Sequence, residues 1–500
     1  MGGSSSTASA PAEARELREQ EALASAALSL PLLRAVFSRS ADLAATLSLP
    51  PTSFRSAPPL ETPAHFQDLL ASLGPTIASL FFPRGASEDA GAGGWLGFLK
   101  GFNSCCARAR ASLPLAVLLR VYAAACAAAG APCGVQFRPG EDGGGDEEGG
   151  KVVGELAPGE IAVLLSMCWV MAWSGLAPRV SGGEEGGKGE AVLLPDVSHL
   201  VLSALVSAGA VADDEGVWGW EVSGAGKGVS VQEFTSWVIS TVPGLGNCLS
   251  RYVQDRFRSS ESDPAKQESS VSTGNTTFDT CDAYLLTRGR AWSISLSVRN
   301  TLSEKFLSAS VIGMDTGDLL YRSSLHGKGL SRFWSCVEGY KGPALILLSA
   351  FSNSGSENVD AGRKWGIGVL TEDGFENKDT FYGSSGFLCA TYPIFRMLLP
   401  SGKEKNIMYC HLHTQLKTYE ATPKPLGLAF GGSIGNERIF IDEDFSKVTI
   451  RHHAVDKTYQ HGSLIPNQID LAAFGNWEDS PEKMMMDMVS DPNKARREER

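Results

Sequence analysis

A cysteine and two histidines follow one another closely late in the chain, in the order Cys410, His411 and His413. Side chains two residues apart lie on the same face of a strand, so the two imidazoles could approach one metal ion together with His452 and His453. No further cysteine or histidine stands at ligand spacing beside them. Histidines partly exposed on a strand are therefore the favoured interpretation, and no metal site is predicted.

Thiols offer a second kind of chemistry. The ten cysteines are scattered and lack Cys-x-x-Cys spacing, so we interpret them as reduced, mostly buried thiols of an intracellular protein. Cys336, Cys389 or Cys410 could serve as a nucleophile beside a histidine. A thiol-dependent enzyme of oxidant defence is thus kept as an alternative function.

Three further patterns match known sites only in part. Asp442, Glu443 and Asp444 could act as an acid and base or as one edge of a calcium site, but a solvated turn or helix start is favoured. The turn at 383–386 lacks the spacing of a nucleophile elbow. The glycine-rich segment 182–189 has no hydroxyl residue after its lysine, so low complexity explains it better than a phosphate-binding loop. No catalytic residue and no cofactor is predicted.

Residues 222–234 match the second half of an EF-hand loop. Ser230 and Glu233 occupy its ninth and twelfth positions, whereas the first, third and fifth positions, which should supply oxygen ligands, are Val222 and two glycines. One carboxylate cannot replace the hydration shell of calcium. We therefore predict a degenerate EF-hand-like pair of helices that serves packing and binds no metal.

Composition narrows the classes of protein to which this chain could belong. Its 500 residues, 43% of them hydrophobic, suffice for two or three packed domains. The formal net charge of -12 argues against nucleic acid as a partner, because phosphates favour clustered Lys and Arg. The uncharged segment 161–177 approaches the length of a membrane span, but a buried helix is the favoured interpretation.

The first half of the chain has the periodicity of helices. Apolar residues recur at helical spacing over 65–82 and 113–129, after short amphipathic helices in residues 11–50. Residues 259–277 are polar and predict a linker. This half is therefore expected to be all-helical.

Beyond the linker the pattern changes to that of short strands. Residues 291–298 alternate between apolar and polar, 344–349 are continuously apolar, and 364–370 alternate around two glycines. Short strands punctuated by glycine and Asn/Asp turns indicate a β-sandwich rather than a βαβ sheet.

The extreme N-terminus fits a lipidation pattern. Gly2 is followed by small residues with a serine at position six, as N-myristoylation requires, and a Gly/Ser-rich start without lipid is the alternative. One acyl chain binds membranes only marginally, and no polybasic run follows. Membrane association would therefore be reversible or depend on a partner. At the other end, residues 494–497 give a weak basic cue for the nucleus or nucleolus.

Three motifs occur in order in the last two fifths of the chain. They are Leu-Tyr-Arg-Ser-Ser at 320–324 with a Lys-Gly turn after it, Phe-Tyr-Gly-Ser-Ser-Gly-Phe-Leu at 381–388, and Leu-Ala-Phe-Gly-Gly at 428–432. Together they resemble the TLDc domain family over 284–469. With EF-hand-like helices before them, they resemble its mTOR-associated branch and plant relatives.

The resemblance implies a β-sandwich flanked by helices, for which the family has no established enzymatic mechanism. It also implies a link to oxidative-stress resistance and binding to the vacuolar-type proton pump. The residues that match the family's two glycine-aromatic strand motifs and its acidic corner are Gly386, Phe387, Leu388, Phe430, Gly431, Gly432, Asp442, Glu443 and Asp444.

We accordingly predict an α+β protein, with an all-helical EF-hand-like N-terminal region followed by a TLDc β-sandwich flanked by helices. Its segments are a flexible N-terminus with short helices at 1–60, a helical EF-hand-like region at 61–258, a linker at 259–283, the TLDc domain at 284–469 and a charged, Met-rich tail at 470–500.

One departure from the family pattern concerns the end of the domain. The family finishes on an acidic-aliphatic strand, whereas here Ile469 leads through Trp477 into the tail. We therefore expect the closing strand to be missing, as in a splice form, and a neighbouring strand to have unpaired N–H and C=O groups.

The predicted function is that of a non-enzymatic regulatory and interaction protein. It is expected to lie in the cytoplasm or on endomembranes, held by lipid at Gly2 and by a protein partner such as the catalytic sector of the vacuolar-type proton pump. The alternatives are the thiol-dependent enzyme and a nuclear or nucleolar adaptor.

Overall fold

The chain divides into two compact units, each described here by itself. The helical unit comprises Met1–Gly216, Trp220–Phe278 and Arg288–Ile312, and the sandwich unit comprises Val217–Gly219, Asp279–Thr287 and Gly313–Arg500. The computed structural model describes residues 9–56, 63–82, 92–106, 112–138, 151–176, 191–212, 215–222, 226–261, 285–298, 302–313, 319–352, 363–384, 386–398, 406–412, 424–452, 460–464 and 470–474.

Helices dominate the helical unit. The described helices are α1 Ser9–Ser25, α2 Leu30–Ser38, α3 Leu43–Thr46, α4 Phe66–Phe81, α5 Ala92–Cys106, α6 Ser112–Ala129, α7 Pro158–Leu176, α8 Ser198–Ser207, α9 Val231–Thr241, α10 Cys248–Glu261, α11 Arg288–Ser297 and α12 Leu302–Ile312. The predicted helices over 65–82, 113–129 and 161–177 correspond to α4, α6 and α7. Apolar side chains at helical spacing place Leu69, Leu70 and Leu73 of α4 in the core.

The described part of this unit also contains five short strands, so the expectation of helices alone was incomplete. Strand β1 (Phe54–Ser56) pairs in parallel with β4 (Val192–Leu194). Strand β3 (Lys151–Leu156) pairs antiparallel with β2 (Val135–Arg138) and with β5 (Val229–Ser230). Strands this short are not detected from periodicity, because alternation between apolar and polar residues needs several residues to become visible.

Helix α11 corrects one sequence prediction. Residues 291–298 alternate apolar residues with serine, which suggested a strand, yet 288–297 are helical. The alternation does not mark an exposed face, because Ser293 and Ser295 are buried with their apolar neighbours. Ser293 donates to the carbonyl of Gly289 at 3.1 Å, and Ser295 donates to that of Trp292 at 2.7 Å. Serine hydroxyls bonded to their own helix can thus occupy a core.

Helix α7 is the apolar segment that approached a membrane span in length. Among the described residues, Pro158–Leu176 is long and apolar enough to cross a membrane, and the bent pair Glu13–Ser25 and Leu30–Ser38 would pass the same test as one span. Half of the apolar window of α7 is buried within the protein. Leu164, Leu165 and Trp169 are fully buried, as the interpretation of a buried core helix requires.

The described strands of the sandwich unit form two six-stranded sheets. Its described elements are β6 Leu319–Arg322, α13 Ser323–His326, α14 Leu330–Val337, β7 Ala344–Ser352, β8 Arg363–Thr371, β9 Lys378–Tyr382, β10 Gly386–Tyr392, β11 Arg396–Leu398, β12 Met408–His411, β13 Gly427–Ser433, β14 Asn436–Asp442, β15 Val448–His452, β16 Gln460–Leu464 and β17 Asp470–Phe474. The first sheet has the order β11-β10-β8-β7-β17-β6, and the second has the order β16-β15-β14-β13-β12-β9.

The two sheets bury a common apolar core. Side chains of the first sheet, such as Leu348 and Val369, belong to one cluster with Met408, Phe430 and Ile441 of the second. All described strand pairs in both sheets are antiparallel. This architecture bears out the predicted α+β class and its β-sandwich.

Strand β17 overturns the expectation that the closing strand is missing. Asp470–Phe474 pairs with β7, with Ala472 opposite Leu347, and with β6, with Ala472 opposite Arg322. The start of the predicted tail, residues 470–474, therefore forms a strand that lies between β7 and β6. The sequence Asp-Leu-Ala-Ala-Phe has alanines where larger aliphatic residues were expected, but strand pairing uses backbone groups that any of these residues supply.

A short segment from the middle of the helical region groups with the sandwich unit. Trp218 donates its indole N–H to the carbonyl oxygen of Lys364 at 3.0 Å. Its ring meets the ring of Trp365 edge to face at 4.9 Å, and the guanidinium of Arg363 lies 5.1 Å from the ring centroid. The predicted range 61–258 for the helical region therefore includes residues that belong to the sandwich.

Candidate functional site

The family-motif residues of the second sheet build a sharp bend at the end of β13. Phe430 is fully buried in the core between the sheets. Gly431 and Gly432 follow with φ of +66° and +93°, values in the left-handed region that favours glycine. A Cβ on Gly432 would lie 2.3 Å from the carbonyl oxygen of Asn436. These residues therefore shape the backbone.

The matching motif in the first sheet has the same character. Gly386 begins β10, where a Cβ would lie 2.4 Å from the carbonyl oxygen of Leu370. Phe387 is half-buried, and Leu388 enters the core. In the preceding turn, the N–H and hydroxyl of Ser384 both donate to the Asp373 carboxylate, at 2.6 and 2.7 Å. The serine is thus held as part of a turn, as the sequence suggested.

The acidic corner at the end of β14 is held by its first carboxylate. Asp442 accepts hydrogen bonds from the N–H groups of Ser446 at 2.7 Å and Lys447 at 3.1 Å. The turn sets Phe445 at φ +53°, with its side chain buried in the core. Asp442 therefore works as a turn acceptor, and the turn inserts an aromatic anchor between the sheets.

The three thiols singled out from sequence lie in unreactive surroundings. Cys389 and Cys410 are buried, and burial raises the pKa of each thiol to about 12. Cys336 is half-buried, and burial raises its pKa as well. Because the thiolate is the nucleophilic form, none of the three is poised to react at neutral pH.

His411 lies beside Cys410 but contacts other groups. Its Nδ1 is 3.3 Å from the carbonyl oxygen of Pro425 and 3.4 Å from the hydroxyl of Tyr409. His413, His453 and the side chain of His452 lie outside the described residues. Within the part of the chain that the structure describes, no three His, Cys, Asp or Glu side chains come together as a metal site.

In the helical unit, the predicted EF-hand-like half-loop leads into α9. Ser230 accepts a hydrogen bond from the Glu233 N–H at 3.2 Å, while the Glu233 carboxylate accepts from the Ser230 N–H at 3.0 Å and from its hydroxyl at 2.7 Å. This reciprocal pair is a capping box. The serine hydroxyl lowers the pKa of Glu233. The carboxylate of Glu233, at the twelfth position of the half-loop, thus already accepts hydrogen bonds from Ser230.

A second half-loop with the same spacing leads into α7. Leu156, Glu160 and Ile161 stand in the same relation as Val229, Glu233 and Phe234: an apolar residue, then a glutamate four positions on, then an apolar residue. Leu156 pairs directly with Val229 across β3 and β5. The two half-loops thus face each other across a short antiparallel ladder.

Glu160 links two parts of the chain. Its carboxylate accepts from the N–H of Gly134 at 2.7 Å and from that of Ala157 at 2.7 Å. It therefore holds the segment before β2 against the start of α7. The sequence offered a signal for this second half-loop, since the Leu-x-x-x-Glu-Ile spacing repeats that of the first, but the signal was missed.

A serine and a histidine form a pair within the helical core. His199 Nε2 lies 3.0 Å from the Ser293 hydroxyl, and Asp196 lies near enough to raise the imidazole pKa. Burial outweighs this and lowers the pKa of His199 to about 4. Ser293 is fully buried and donates to carbonyl oxygens of its own helix. The pair resembles a nucleophile and base in composition, but both side chains are buried in the core.

Sequence reasoning also missed a pair of thiols, Cys126 at the end of α6 and Cys133 just after it. Cys126 is buried and Cys133 is half-buried. The available signal was the Gly-Ala-Pro turn between them, since a glycine after a helix reverses the chain. Other predicted features lie outside the described residues, namely Gly2, segment 182–189 and residues 494–497.

Residues 297–473 match the family model described as the TLDc domain. No curated protein matches the chain. The match ends within β17, so that strand belongs to the domain, and it begins 13 residues after the start predicted at 284. The three ordered motifs, the sandwich that they build and this match together identify residues 297–473 as a TLDc domain.

Proposed function

We propose that this protein is a non-enzymatic regulatory and interaction protein whose TLDc domain binds a protein partner. The single observation that carries the proposal is the family match over 297–473, a family of protein-interaction domains often related to oxidative stress. The vacuolar-type proton pump is the partner proposed first, with support of oxidative-stress resistance as the outcome. Both follow from the family resemblance.

The described chemistry of the sandwich unit supports recognition over catalysis. The family-motif glycines shape turns, Asp442 holds a turn, and Cys389 and Cys410 are buried with raised pKa. A thiol enzyme needs an accessible thiolate, which neither of these two cysteines supplies. The alternative of an oxidant-defence enzyme built on them is therefore disfavoured.

Exposed apolar side chains of the sandwich unit offer places to test binding. Leu325 on α13 is 64% exposed, and Ile434 in the turn after β13 is 42% exposed. Because both side chains are exposed, their replacement leaves the core untouched, so each can probe the surface for contact with a partner. Ile239 on α9 is 40% exposed and belongs to the helical unit, so it makes a matched control.

The proposal is tested by a pull-down of the full chain with the purified catalytic sector of the proton pump. We expect wild type to bind, and Leu325→Glu or Ile434→Glu to weaken binding about tenfold because each places a carboxylate in the contact. Ile239→Glu should bind like wild type. If wild type recovers none of the pump subunits, the proposed partner is wrong; if all three variants bind equally, the contact lies elsewhere on the protein.

We further propose that the helical unit contains a degenerate EF-hand-like pair that binds no calcium. The paired half-loops, with Leu156 opposite Val229 and glutamates at equivalent positions, support this relation. The glutamates cap helices and bind backbone N–H groups, and oxygen ligands are lacking at the first, third and fifth positions of the second loop. Its proposed role is to pack, with partner binding left to the TLDc domain.

The proposed location is the cytoplasm or an endomembrane surface, with myristate on Gly2 and reversible membrane association. The Met-Gly start with serine at position six supports this. Intact-mass measurement of protein from a eukaryotic host should show the added acyl mass. Gly2→Ala should then release the protein from membranes; an unchanged mass with a nuclear signal in both forms would favour the nuclear adaptor instead.

A further inference from the structure

Helix α1 packs within the helical unit with almost none of its side chains buried. It has 17 residues, and over 13–25, where side-chain burial is described, only Ala24 is buried. The next helix, α2, has nine residues and buries Leu32, Leu33 and Val36. Burial of apolar surface is the main favourable contribution to the packing of a helix, so it stabilises the position of α1 far less than that of the shorter α2.

Polar groups hold the middle of α1 against α5. The Glu16 carboxylate pairs with the Lys100 ammonium at 2.6 Å, and the apolar Leu17 beside it is only half-buried. The Asn103 side-chain amide donates to the backbone carbonyl of Gln20 at 2.9 Å and to its side-chain oxygen at 2.7 Å. The two side chains of the ion pair are 39% and 43% exposed, so water and salt weaken their attraction.

A third polar contact joins α1 to both α5 and α2. The Glu21 carboxylate accepts from the indole N–H of Trp95 at 3.0 Å and from the guanidinium of Arg34 at 3.0 Å. The Trp95 ring itself meets the ring of Phe37 at 5.3 Å and that of Phe98 at 5.6 Å, so it packs on residues of α2 and α5. Departure of α1 would therefore leave this aromatic cluster in place.

Water can replace these contacts when α1 leaves. Asn103 is 9% exposed, and among the described atoms its side-chain oxygen has no hydrogen-bond partner. A buried polar group without a partner costs free energy, and contact with water would remove that cost. The carboxylates of Glu16 and Glu21 would likewise be hydrated. The free energy that separates docked from released α1 is therefore small compared with that of helices held by apolar contacts.

The last turn of α1 is fixed more firmly than the rest of the helix. Ala24 is fully buried, and Leu28 in the following turn is 5% exposed. The N–H groups of Ala27 and Leu28 both donate to the Ala24 carbonyl, at 3.0 Å. The chain then bends by 107° between α1 and α2. This turn can therefore stay in place as a hinge while the residues up to Glu21 leave.

We propose that α1 is a detachable strap, hinged at its last turn and held on α5 by the polar contacts of Glu16, Gln20 and Glu21. It opens while the remaining helices of the helical unit stay folded. The device lies wholly within the helical unit. It depends neither on the partner proposed for the TLDc domain nor on a lipid at Gly2.

Release of the strap changes the reach of the N-terminus. An isolated helix of this length is marginal in water, so the released segment unfolds. Residues 9–21 span up to roughly 45 Å as an extended chain, against about 20 Å as a helix. Any group attached at the N-terminus is therefore kept close to α5 while the strap is docked, and a ligand that binds the released segment would hold the strap open.

The test is amide hydrogen exchange of the full chain, read by mass spectrometry of peptic peptides at low and high salt. Amides of residues 13–21 should exchange about tenfold faster than those of α2, and the difference should grow at high salt, because salt screens ion pairs and leaves apolar contacts intact. Trypsin gives an independent measurement. Cleavage after Arg15 or Arg18 requires α1 to open, cleavage after Arg34 requires α2 to open, and the first should be about tenfold faster.

Substitutions on α5 show which contacts hold the strap. Asn103→Ala removes both hydrogen bonds to α1 and should raise the exchange rate of residues 13–21 about tenfold. Lys100→Glu replaces an attraction to Glu16 with a repulsion and should raise that rate about threefold. Glu16→Lys combined with Lys100→Glu should bring the rate back to that of wild type. Ser104→Ala is the matched control and should leave the rate unchanged, because the Ser104 hydroxyl donates to a carbonyl of its own helix.

Two results would overturn the proposal. Equal exchange in α1 and α2 of the wild type would mean that α1 opens only together with the helices around it. Exchange of residues 13–21 that responds neither to salt nor to Lys100→Glu would mean that polar contacts are not what holds α1. Because the Lys100 side chain is 39% exposed, this variant reports on the strap even if Asn103→Ala disturbs the packing of α5.

Discussion

The two units differ in the kind of polar group that they bury. The sandwich unit has an apolar cluster between its sheets, with Phe333, Phe430 and Val448 among its members, and the carboxylate of its buried Glu437 is paired with Arg451. The helical unit buries the imidazole of His199 beside the Ser293 hydroxyl. Loss of filled volume should therefore destabilise the sandwich core, whereas the stability of the helical unit should also depend on protonation of a buried imidazole.

The largest expected effect is the loss of an aromatic side chain from the sandwich core. Phe333 on α14 is fully buried and meets Phe375 edge to face at 4.9 Å and Tyr321 at 5.3 Å. Phe333→Ala should lower the free energy of unfolding of the sandwich unit by about 3–5 kcal/mol, because it removes transfer energy and leaves a cavity.

Two buried thiols allow the effect of Phe333→Ala to be measured in each unit separately. Cys410 in the sandwich unit and Cys168 in the helical unit are both fully buried. The rate at which each is labelled in the native protein reports local opening. Phe333→Ala should speed the labelling of Cys410 and leave that of Cys168 unchanged. Equal acceleration of both thiols would show that the two cores unfold as one, and the comparison would then fail.

The next effect concerns pH and belongs to the helical unit. Burial lowers the pKa of His199 to about 4 from its ordinary 6.5, with Asp196 opposing and Arg290 reinforcing the change. The unfolded chain therefore binds a proton at a pH where the folded chain does not. The free energy of unfolding therefore has its full value above pH 6.5. It falls as pH decreases from there towards 4, by roughly 3 kcal/mol in total.

The check is a set of urea titrations between pH 7.5 and 4.5, followed by amide exchange in peptides from α8. Wild type should lose stability steadily over this range. The asparagine of His199→Asn cannot bind a proton. The variant should therefore be less stable at pH 7.5, and its free energy of unfolding should change less with pH. Parallel curves for the two proteins would mean that another group causes the dependence.

A smaller effect compares the two glutamates of the paired half-loops. Glu160 bridges Gly134 and Ala157, which are far apart in sequence, whereas Glu233 binds only Ser230 beside it. Glu160→Gln should cost about 1–2 kcal/mol, because an amide replaces one of two charge-assisted acceptors with a donor. Glu233→Gln should cost less, because its side chain is exposed and its bonds are local. Urea denaturation of both variants shows which one loses more free energy of unfolding. A greater loss for Glu233→Gln would contradict our interpretation that Glu160 links the segment before β2 to the start of α7.

The sequence allowed some of this organisation to be predicted, for identifiable reasons. Helix α7 and the sandwich class followed from long apolar runs and from ordered glycine motifs, which are local signals. Helix α11 was mistaken for a strand, because its serines satisfy their hydroxyls within the helix and so behave as core residues.

Features that depend on distant pairing were harder to predict. Strand β17 was not recognised, because Asp470–Phe474 becomes a strand only through the two neighbours that accept it, β6 and β7. The segment before β2 is held by Glu160, which accepts from the Gly134 N–H and lies 26 residues beyond it in the sequence. No local pattern predicts such a contact.

The smallest expected effect is that of calcium, which should leave the melting temperature unchanged. A loop that bound calcium with a dissociation constant near 10 μM would gain about 2.7 kcal/mol at roughly 1 mM calcium, a shift that thermal unfolding resolves easily. In the paired half-loops the carboxylates of Glu160 and Glu233 already accept hydrogen bonds from backbone N–H groups, and the second loop has glycine and valine at positions that should supply oxygen ligands. Magnesium at the same concentration controls for ionic strength. A stabilisation by calcium alone that Glu233→Gln abolishes would make that carboxylate a ligand, and the helical unit would then be a calcium sensor rather than a packing module.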